Sequence, residues 1–192
     1  NSGSDFIQTE PTPGNASVFQ TQVYFLYDNN AIYIGARMTD PEPQKILKEL
    51  SIRDQTGNTD NFSVFLDPFN SGLHGFIFLV TASGVQLESI VTNHEDDTNW
   101  NAVWESAVSQ DSAGWYAEFR IPYSSIRFPS APVQTWNVQF GREIRRFRES
   151  SYWSYIDPNI AGWVQQSGKV TNIENIKTPV RLSLTPYISG YV

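Results

Sequence analysis

The feature that most narrows the fold of this chain is a period-two alternation of apolar and polar residues, recurring in short runs that end in clusters of Gly, Pro, Asn and Asp. Residues 21–28 place Val23, Phe25 and Tyr27 on one face and Gln22, Tyr24 and Leu26 on the other, the spacing of a strand rather than a helix. Tyr24 and Leu26 predict that neither face of this strand is fully wet. Asp28, Asn29 and Asn30 tolerate left-handed turn geometry, and residues 31–39 alternate again through Ile32, Ile34, Ala36 and Met38, which makes a hairpin.

The same rhythm continues. Residues 45–60 are polar and lack a long amphipathic period, so they read as a surface connection with at most one short helical turn. Phe62, Val64 and Leu66 resume the strand pattern. Residues 75–81 and 85–92 follow across the turns 68–72 and 82–84, giving a three-strand meander. Residues 103–109 and 115–121 flank the turn at Asp111–Gly114, a second hairpin. Pro122 stops that strand, and a helical turn starting at Ser124 or Ser125 is expected to end near Phe128. A long alternating run from Trp136 to Arg148 precedes a short strand at residues 152–156 and another near 169–176. About ten short strands at this spacing predict an all-β, antiparallel two-sheet β-sandwich, jelly-roll-like, with only minor short helical turns.

Composition limits what such a sandwich can meet. At 192 residues and 40% hydrophobic content the chain supports one substantial core, hence a single domain. Its formal charge of -7 repels nucleic-acid phosphates, so nucleic acid is excluded as a partner class. Cysteine is absent, which removes disulfides and thiolate zinc chemistry and leaves the compartment unread. Asn1 marks a processed product or an excised piece. Six Trp and nine Tyr exceed what a plain core of this size requires, so some aromatics are expected to face solvent or a ligand.

Among the aromatics, Trp163 lies between Gly162 and Val164 in a loop, where burial is least automatic, and is the first choice for a ligand contact. Trp100 and Trp104 stand four apart at the start of a strand and could form a platform, although a strand Trp such as Trp104 belongs by preference to the core. Trp115 and Trp136 read as core anchors. Glu95, Asp96 and Asp97 offer oxygen ligands for a hard cation such as calcium, against the commoner reading of a solvated acidic loop; Asp40, Asp60 and Asp67 would have to converge from loop ends to do the same. No other cofactor is expected. Arg142, Arg145, Arg146 and Arg148 alternate with Glu143 and Glu149, which favours cross-strand ion pairing over an anion site. For catalysis, His74 and His94 stand in no recognisable signature, Ser83 reads as a turn residue, and nothing selects an acid pair from Glu88, Glu105 and Glu118. The chain therefore reads as a binding module, with no catalytic residues.

Three stretches, "DNFSVFLDPFNSGLHGFIFLVTASGVQ" from Asp60, "WNAVWESAVSQDSAGWYAEFRIPYSSIRF" from Trp100 and "WNVQFGREIRRFRESSYWS" from Trp136, together resemble the family 9 carbohydrate-binding modules. They are more similar still to the related domain that precedes outer-membrane barrels in Bacteroidetes-type bacteria. The likeness spans about residues 18–178. It implies a carbohydrate-module-like domain over residues 1–178. In the tail, Val180, Leu182, Leu184, Ile188 and Val192 share a face, a pattern that suits an edge strand of the sandwich as well as a first membrane-barrel strand; the resemblance favours a linker or barrel strand over residues 179–192. It further implies an exported protein on the periplasmic or extracellular face of a bacterial outer membrane, with a glycan or polysaccharide, its own barrel, or another protein as partner.

Family members open with a strand containing Asp-Gly and a following Trp, which nothing here matches, so that strand is expected to be missing and a sheet edge open to pairing. Sugar-binding members clamp a sugar between two tryptophans, with Glu, Arg and Asn completing the contacts. Trp163 matches the second tryptophan; Gly57 and Asn58 stand where the first should fall, and Ser63, Leu79 and Thr81 occupy the polar positions. The resemblance thus implies a site with one aromatic wall lost, weakened or moved. A protein-interaction or barrel-gating domain is the alternative, and a glycan-active hydrolase the least favoured.

Overall fold

The computed structural model describes residues 2–3, 5–92 and 96–179, which form thirteen strands and three isolated 3-10 turns. The strands are β1 (Ser2–Gly3), β2 (Ile7–Glu10), β3 (Thr21–Tyr27), β4 (Ala31–Thr39), β5 (Asn61–Asp67), β6 (Gly75–Thr81), β7 (Gln86–Val91), β8 (Asp96–Asp97), β9 (Glu105–Asp111), β10 (Gly114–Pro122), β11 (Val133–Ile144), β12 (Glu149–Tyr152) and β13 (Gly168–Glu174). A five-stranded sheet runs β1-β3-β4-β10-β9, and a larger sheet runs β2-β12-β11-β5-β6-β7-β8. Every pairing between these strands is antiparallel. The twelve-residue β11 is shared along one edge, by β13 at residues 133–138 and by β12 at residues 141–144.

The two inner faces meet in one apolar layer. Val23, Ile32, Ile34, Met38, Trp115, Phe119 and Ile121 come from the smaller sheet, and Phe62, Val64, Leu66, Phe78, Val80, Trp136, Val138 and Phe140 from the larger. These are the alternate positions of each strand, as a half-buried pleat demands. Trp115 and Trp136 are fully buried, as the sequence predicts. Gly114 opens β10 because nothing larger fits: a Cβ there would lie 2.1 Å from the Met38 carbonyl oxygen, at φ +145.

The inter-sheet layer also holds charge. Arg142, on the inward face of β11, donates to the carbonyls of Gln20 (3.2 Å) and Thr39 (2.9 Å) and to the Thr21 hydroxyl (3.1 Å), tying the larger sheet to β3 and β4. Burial lowers its guanidinium to about 10, still cationic at neutral pH. Arg146 grips Asp40 through two bonds of 2.7 and 2.8 Å and lies over the rings of Phe19 and Phe147. Asp60 accepts from the Arg145 amide at 3.0 Å, and burial pushes its carboxyl up to about 6. The arginine cluster is thus structural. Its pairing partner is Asp40 from the other sheet, with Arg145 and Glu143 a looser 3.5 Å pair on the surface.

Several expectations are corrected. Asp67 does not join Asp40 and Asp60, because β5 separates Asp60 from Asp67 by its full length; Asp67 instead binds the Gly72 and Phe69 amides of the following turn and the Asn137 side chain. The strand expected at residues 152–156 is β12 at Glu149–Tyr152. The 3-10 turn at Arg145–Phe147 closes on Arg148 in the left-handed conformation, φ 52, and pairing resumes at once. Ser124 and Ser125 lie in a turn closed by the Ser125 amide on the Pro122 carbonyl, not in a helix. The outer face of β3 is wetter than expected, with Tyr24 45% and Leu26 64% exposed. Two strands stand ahead of Thr21, β1 along β3 and β2 along β12, too short for alternation to reveal. The segment Val180–Val192 lies outside the described residues.

Candidate functional site

The outward face of the larger sheet carries two adjacent rows of side chains across its central strands. One row runs Gln139, Phe65, Ile77 and Ser89; the next runs Gly141, Ser63, Leu79 and Leu87. Over this floor stands Trp163, its ring edge-on to Phe65 with centroids 4.7 Å apart and planes at 68°. Tyr152, the cross-strand partner of Gly141, makes another wall. A Cβ on Gly141 would lie 2.6 Å from Ser63 Oγ and 2.9 Å from the Tyr152 ring, so the glycine is what lets the tyrosine lie close over the sheet. Asp96, from β8, lines the opposite side.

The cleft between Trp163 and Tyr152 has a volume of about 350 Å³. It continues, through the shared Ser63, Ile77, Asp96 and Tyr152, into a hollow of about 290 Å³ reaching Asn61, Glu143 and Thr98. Both are open and shallow, with a mixed aromatic, amide, hydroxyl and carboxylate lining. Burial, reinforced by the carboxylates of Glu143 and Glu10, pushes the Tyr152 phenol above its usual range, so it stays neutral. Asn61 Nδ2 donates to Glu143 at 2.9 Å and holds that carboxylate in place.

A dense set of local bonds positions Trp163. Gln166 Oε1 accepts from the Asp157 amide at 2.8 Å, while its Nε2 reaches the carbonyls of Asp157 (3.4 Å), Ile160 (3.3 Å) and Gly162 (3.2 Å). One side chain thereby closes the loop 157–162. Val164, buried against Phe65 and Val91, seats the next residue in the sheet surface. The indole is fixed before any ligand arrives, which lowers the ordering cost of binding.

The other sequence candidates lie elsewhere. Trp104 is 5% exposed, stacked flat on Phe119 at 5.5 Å, and donates its Nε1 to buried Glu88 at 3.0 Å. It is therefore a core residue rather than a surface ligand contact, held just ahead of β9 by Phe78, Phe119 and the Glu88 carboxylate. Trp100 is half-buried against Phe76 and Phe78 and lines a separate hollow of about 870 Å³ with Phe69, His74 and Arg127. The pair therefore forms no shared platform, and neither residue lines the cleft at Trp163. Asp96 and Asp97 are exposed on β8; Glu95 and His94 lie outside the described residues. Among the described residues, no three His, Cys, Asp or Glu side chains gather as a metal requires.

The carboxylates considered for hydrolysis also separate. Glu88 is buried and takes Arg53 at 2.7 Å, the Ala102 amide at 3.1 Å and Trp104. Glu105 pairs with Arg120 at 2.8 Å, and Glu118 stands on the outer face of the opposite sheet. Ser83 hydrogen-bonds Thr81 and the Glu49 carbonyl in its turn. Of the positions matched to the family's grip, Ser63 and Leu79 do lie in the floor. The loop bearing Gly57 and Asn58 is tied back to Glu49 and brings no indole. Sequence reasoning missed Tyr152 and Gln139, although Gly141, a glycine inside a long strand, was the signal for a close approach there.

The model of the carbohydrate family 9 binding domain-like family matches residues 5–163. Among solved structures, the chain is similar to a family 9 carbohydrate-binding module from Caldicellulosiruptor kristjanssonii in complex with cellotriose, at TM-score 0.62 and 14% identity over 98% of this chain and 88% of that one. A structure of such a module from that organism in complex with glucose matches at 0.63 and 15%, covering 97% and 88%. A proposed carbohydrate-binding protein from Bacteroides uniformis matches at 0.68 and 12%, covering 92% and 86%. At these identities the likeness is one of fold. No curated protein matches the sequence.

Proposed function

Since the chain belongs to the carbohydrate family 9 binding domain-like family, we propose that it is a noncatalytic module that holds a saccharide in the cleft beside Trp163. The observation that carries this reading is the indole itself, fixed against Phe65 over a floor that mixes apolar and hydrogen-bonding side chains. A pyranose offers an apolar C–H face and a rim of hydroxyls. Trp163 and Tyr152 suit the first; Ser63 and Asp96 suit the second. The neighbouring modules hold cellotriose and glucose, which makes neutral gluco-oligosaccharides the first ligands to try.

The test is calorimetric titration with cellotriose and a wider glycan panel, on wild type and Trp163→Ala. Removing a central aromatic anchor should cost at least about 2 kcal/mol, roughly thirtyfold in Kd, with no hydrolysis product in either case. Equal binding by the variant would remove Trp163 from the site; no binding to any glycan would favour a protein-interaction domain. In the same proposal the module is exported and sits ahead of an outer-membrane barrel, a reading supported by the alternation of residues 180–192. The coding sequence after Val192 tests it: repeated alternating segments of about ten residues are expected, and a catalytic domain would overturn it.

A further inference from the structure

The five-stranded sheet also turns a face outward, and Gly35 in the middle of β4 has no structural need to be glycine. Glycine inside a strand weakens it by roughly 0.5–1 kcal/mol relative to alanine, and often marks a place where a ligand comes close. Gly114 and Gly141 are required by contacts that a Cβ would violate. A Cβ on Gly35 would meet nothing within 4 Å, and its φ is outside the left-handed region. The effect of its missing side chain is an open floor.

The register sets what surrounds that floor. Gly35 pairs with Tyr24 on β3 and with Glu118 on β10, so the tyrosine and the carboxylate flank it about 10 Å apart, two strand spacings. Two residues along β4 in one direction lies the row Leu26, Tyr33, Arg120 and Glu105; two in the other lies Arg37 with Tyr116. These rows are about 13 Å apart, and the hollow lined by Tyr24, Tyr33, Gly35, Glu118 and Arg120 has a volume of about 510 Å³. One pyranose ring lying flat fits within that footprint.

The chemistry selects the ligand. Arg120 is matched by Glu105 at 2.8 Å, and the Tyr33 hydroxyl donates to Asp28 at 3.1 Å, so the polar walls are oriented in advance. The Glu118 carboxylate has no hydrogen-bond or ion-pair partner among the described residues and is exposed. An anion would meet this free carboxylate on a chain of net charge -7, and a cation would meet Arg120 and Arg37. A neutral polyol fits both: its hydroxyls donate to Glu118 and accept from Arg120, while its C–H face covers Tyr24 or Tyr33.

We propose that the Gly35 trough is a second saccharide site, taking one neutral pyranose unit on the face opposite the Trp163 cleft. The domain then holds two sugar units on opposite sides and can bridge two glycan strands. The site rests on its own geometry, and its failure is distinguishable from that of the Trp163 cleft. The experiment is an amide-resolved NMR titration with glucose, galactose and cellotriose into wild type, Trp163→Ala, Gly35→Val and Tyr24→Ala. Saturable shifts are expected at Tyr24, Gly35 and Glu118 in wild type and Trp163→Ala. In Gly35→Val and Tyr24→Ala the trough shifts disappear, while Ser63 and Phe65 respond as in wild type. Gly35→Val should keep or raise Tm, since the added side chain meets open space and favours a strand. Absence of shifts at Tyr24, Gly35 and Glu118 with all three sugars, or unchanged shifts there in Gly35→Val, would overturn the proposal.

Discussion

Glu88 separates a structural carboxylate from a catalytic one, and its removal is the perturbation with the clearest expected magnitude. The side chain is fully buried on β7 and satisfies two buried donors, the Trp104 indole N–H at 3.0 Å and the Ala102 amide at 3.1 Å. It also takes Arg53 through both oxygens at 2.7 Å. Glu88→Ala strands both N–H groups, at about 2 kcal/mol each. The Arg53 pair adds little, at most about 1 kcal/mol, because the arginine is 43% exposed. The sum is about 4–5 kcal/mol, or roughly 10–15 °C in Tm for a chain of this length. Glu88→Gln preserves the size and one acceptor oxygen and should lose about 1–2 kcal/mol. Thermal and urea unfolding followed by circular dichroism measures both. A Glu88→Ala protein melting within about 2 °C of wild type, or one of normal stability that had lost a hydrolytic activity, would refute the structural assignment.

Two further perturbations test the packing. Asp60 has its carboxyl raised to about 6 by burial, so it favours folding fully below the ordinary carboxylate range, and that favour is lost as pH rises from about 4 to about 6, by at most about 3 kcal/mol. Asp40 acts oppositely and lower: burial works against its ionisation, but the Arg146 bonds and the Glu42 amide keep its pKa below 3.8, so its contribution disappears as pH falls below that range. Urea midpoints from pH 4 to 7 should show the Asp60 decline in wild type and its absence in Asp60→Asn; parallel curves would exclude the effect. Gly114→Ala, whose new methyl would overlap the Met38 carbonyl at a φ that alanine avoids, should cost about 3 kcal/mol or more; a soluble variant with wild-type Tm would show that the β4–β10 approach is looser than described.

Much of the strand inventory was legible because alternation is a local property. β4 and β6 fall on the residues the pattern marks, and the β3–β4 and β9–β10 hairpins follow from Asp28–Asn30 and Asp111–Gly114. Strands of two to four residues were not legible, since a period cannot be recognised in so few positions; β1, β2 and β8 are of this kind. β11 misled in another way. Its inward row sets Arg142 between Phe140 and Ile144, while its outward Gln139 and Gly141 are also buried under Ser154 and Tyr152. Polarity therefore did not indicate which face met the core. At the site, the loop context of Trp163 was readable from its glycine neighbour, whereas the burial of Trp104 depended on Glu88 and Phe119, which come from other strands.

The order of residues alone determined an all-β chain with its turns, its hairpins and the loop that presents Trp163, because each depends on side chains within a few positions of one another. Only the tertiary structure decided that β5 lies beside β11, that β9 and β10 join β4 rather than the β5–β7 meander, and that Phe65 and Tyr152 frame one cleft while Tyr24 and Glu118 frame another. Those associations join residues up to about a hundred positions apart. They are selected by the burial of complementary faces and the satisfaction of backbone groups across the whole fold, which no local pattern encodes.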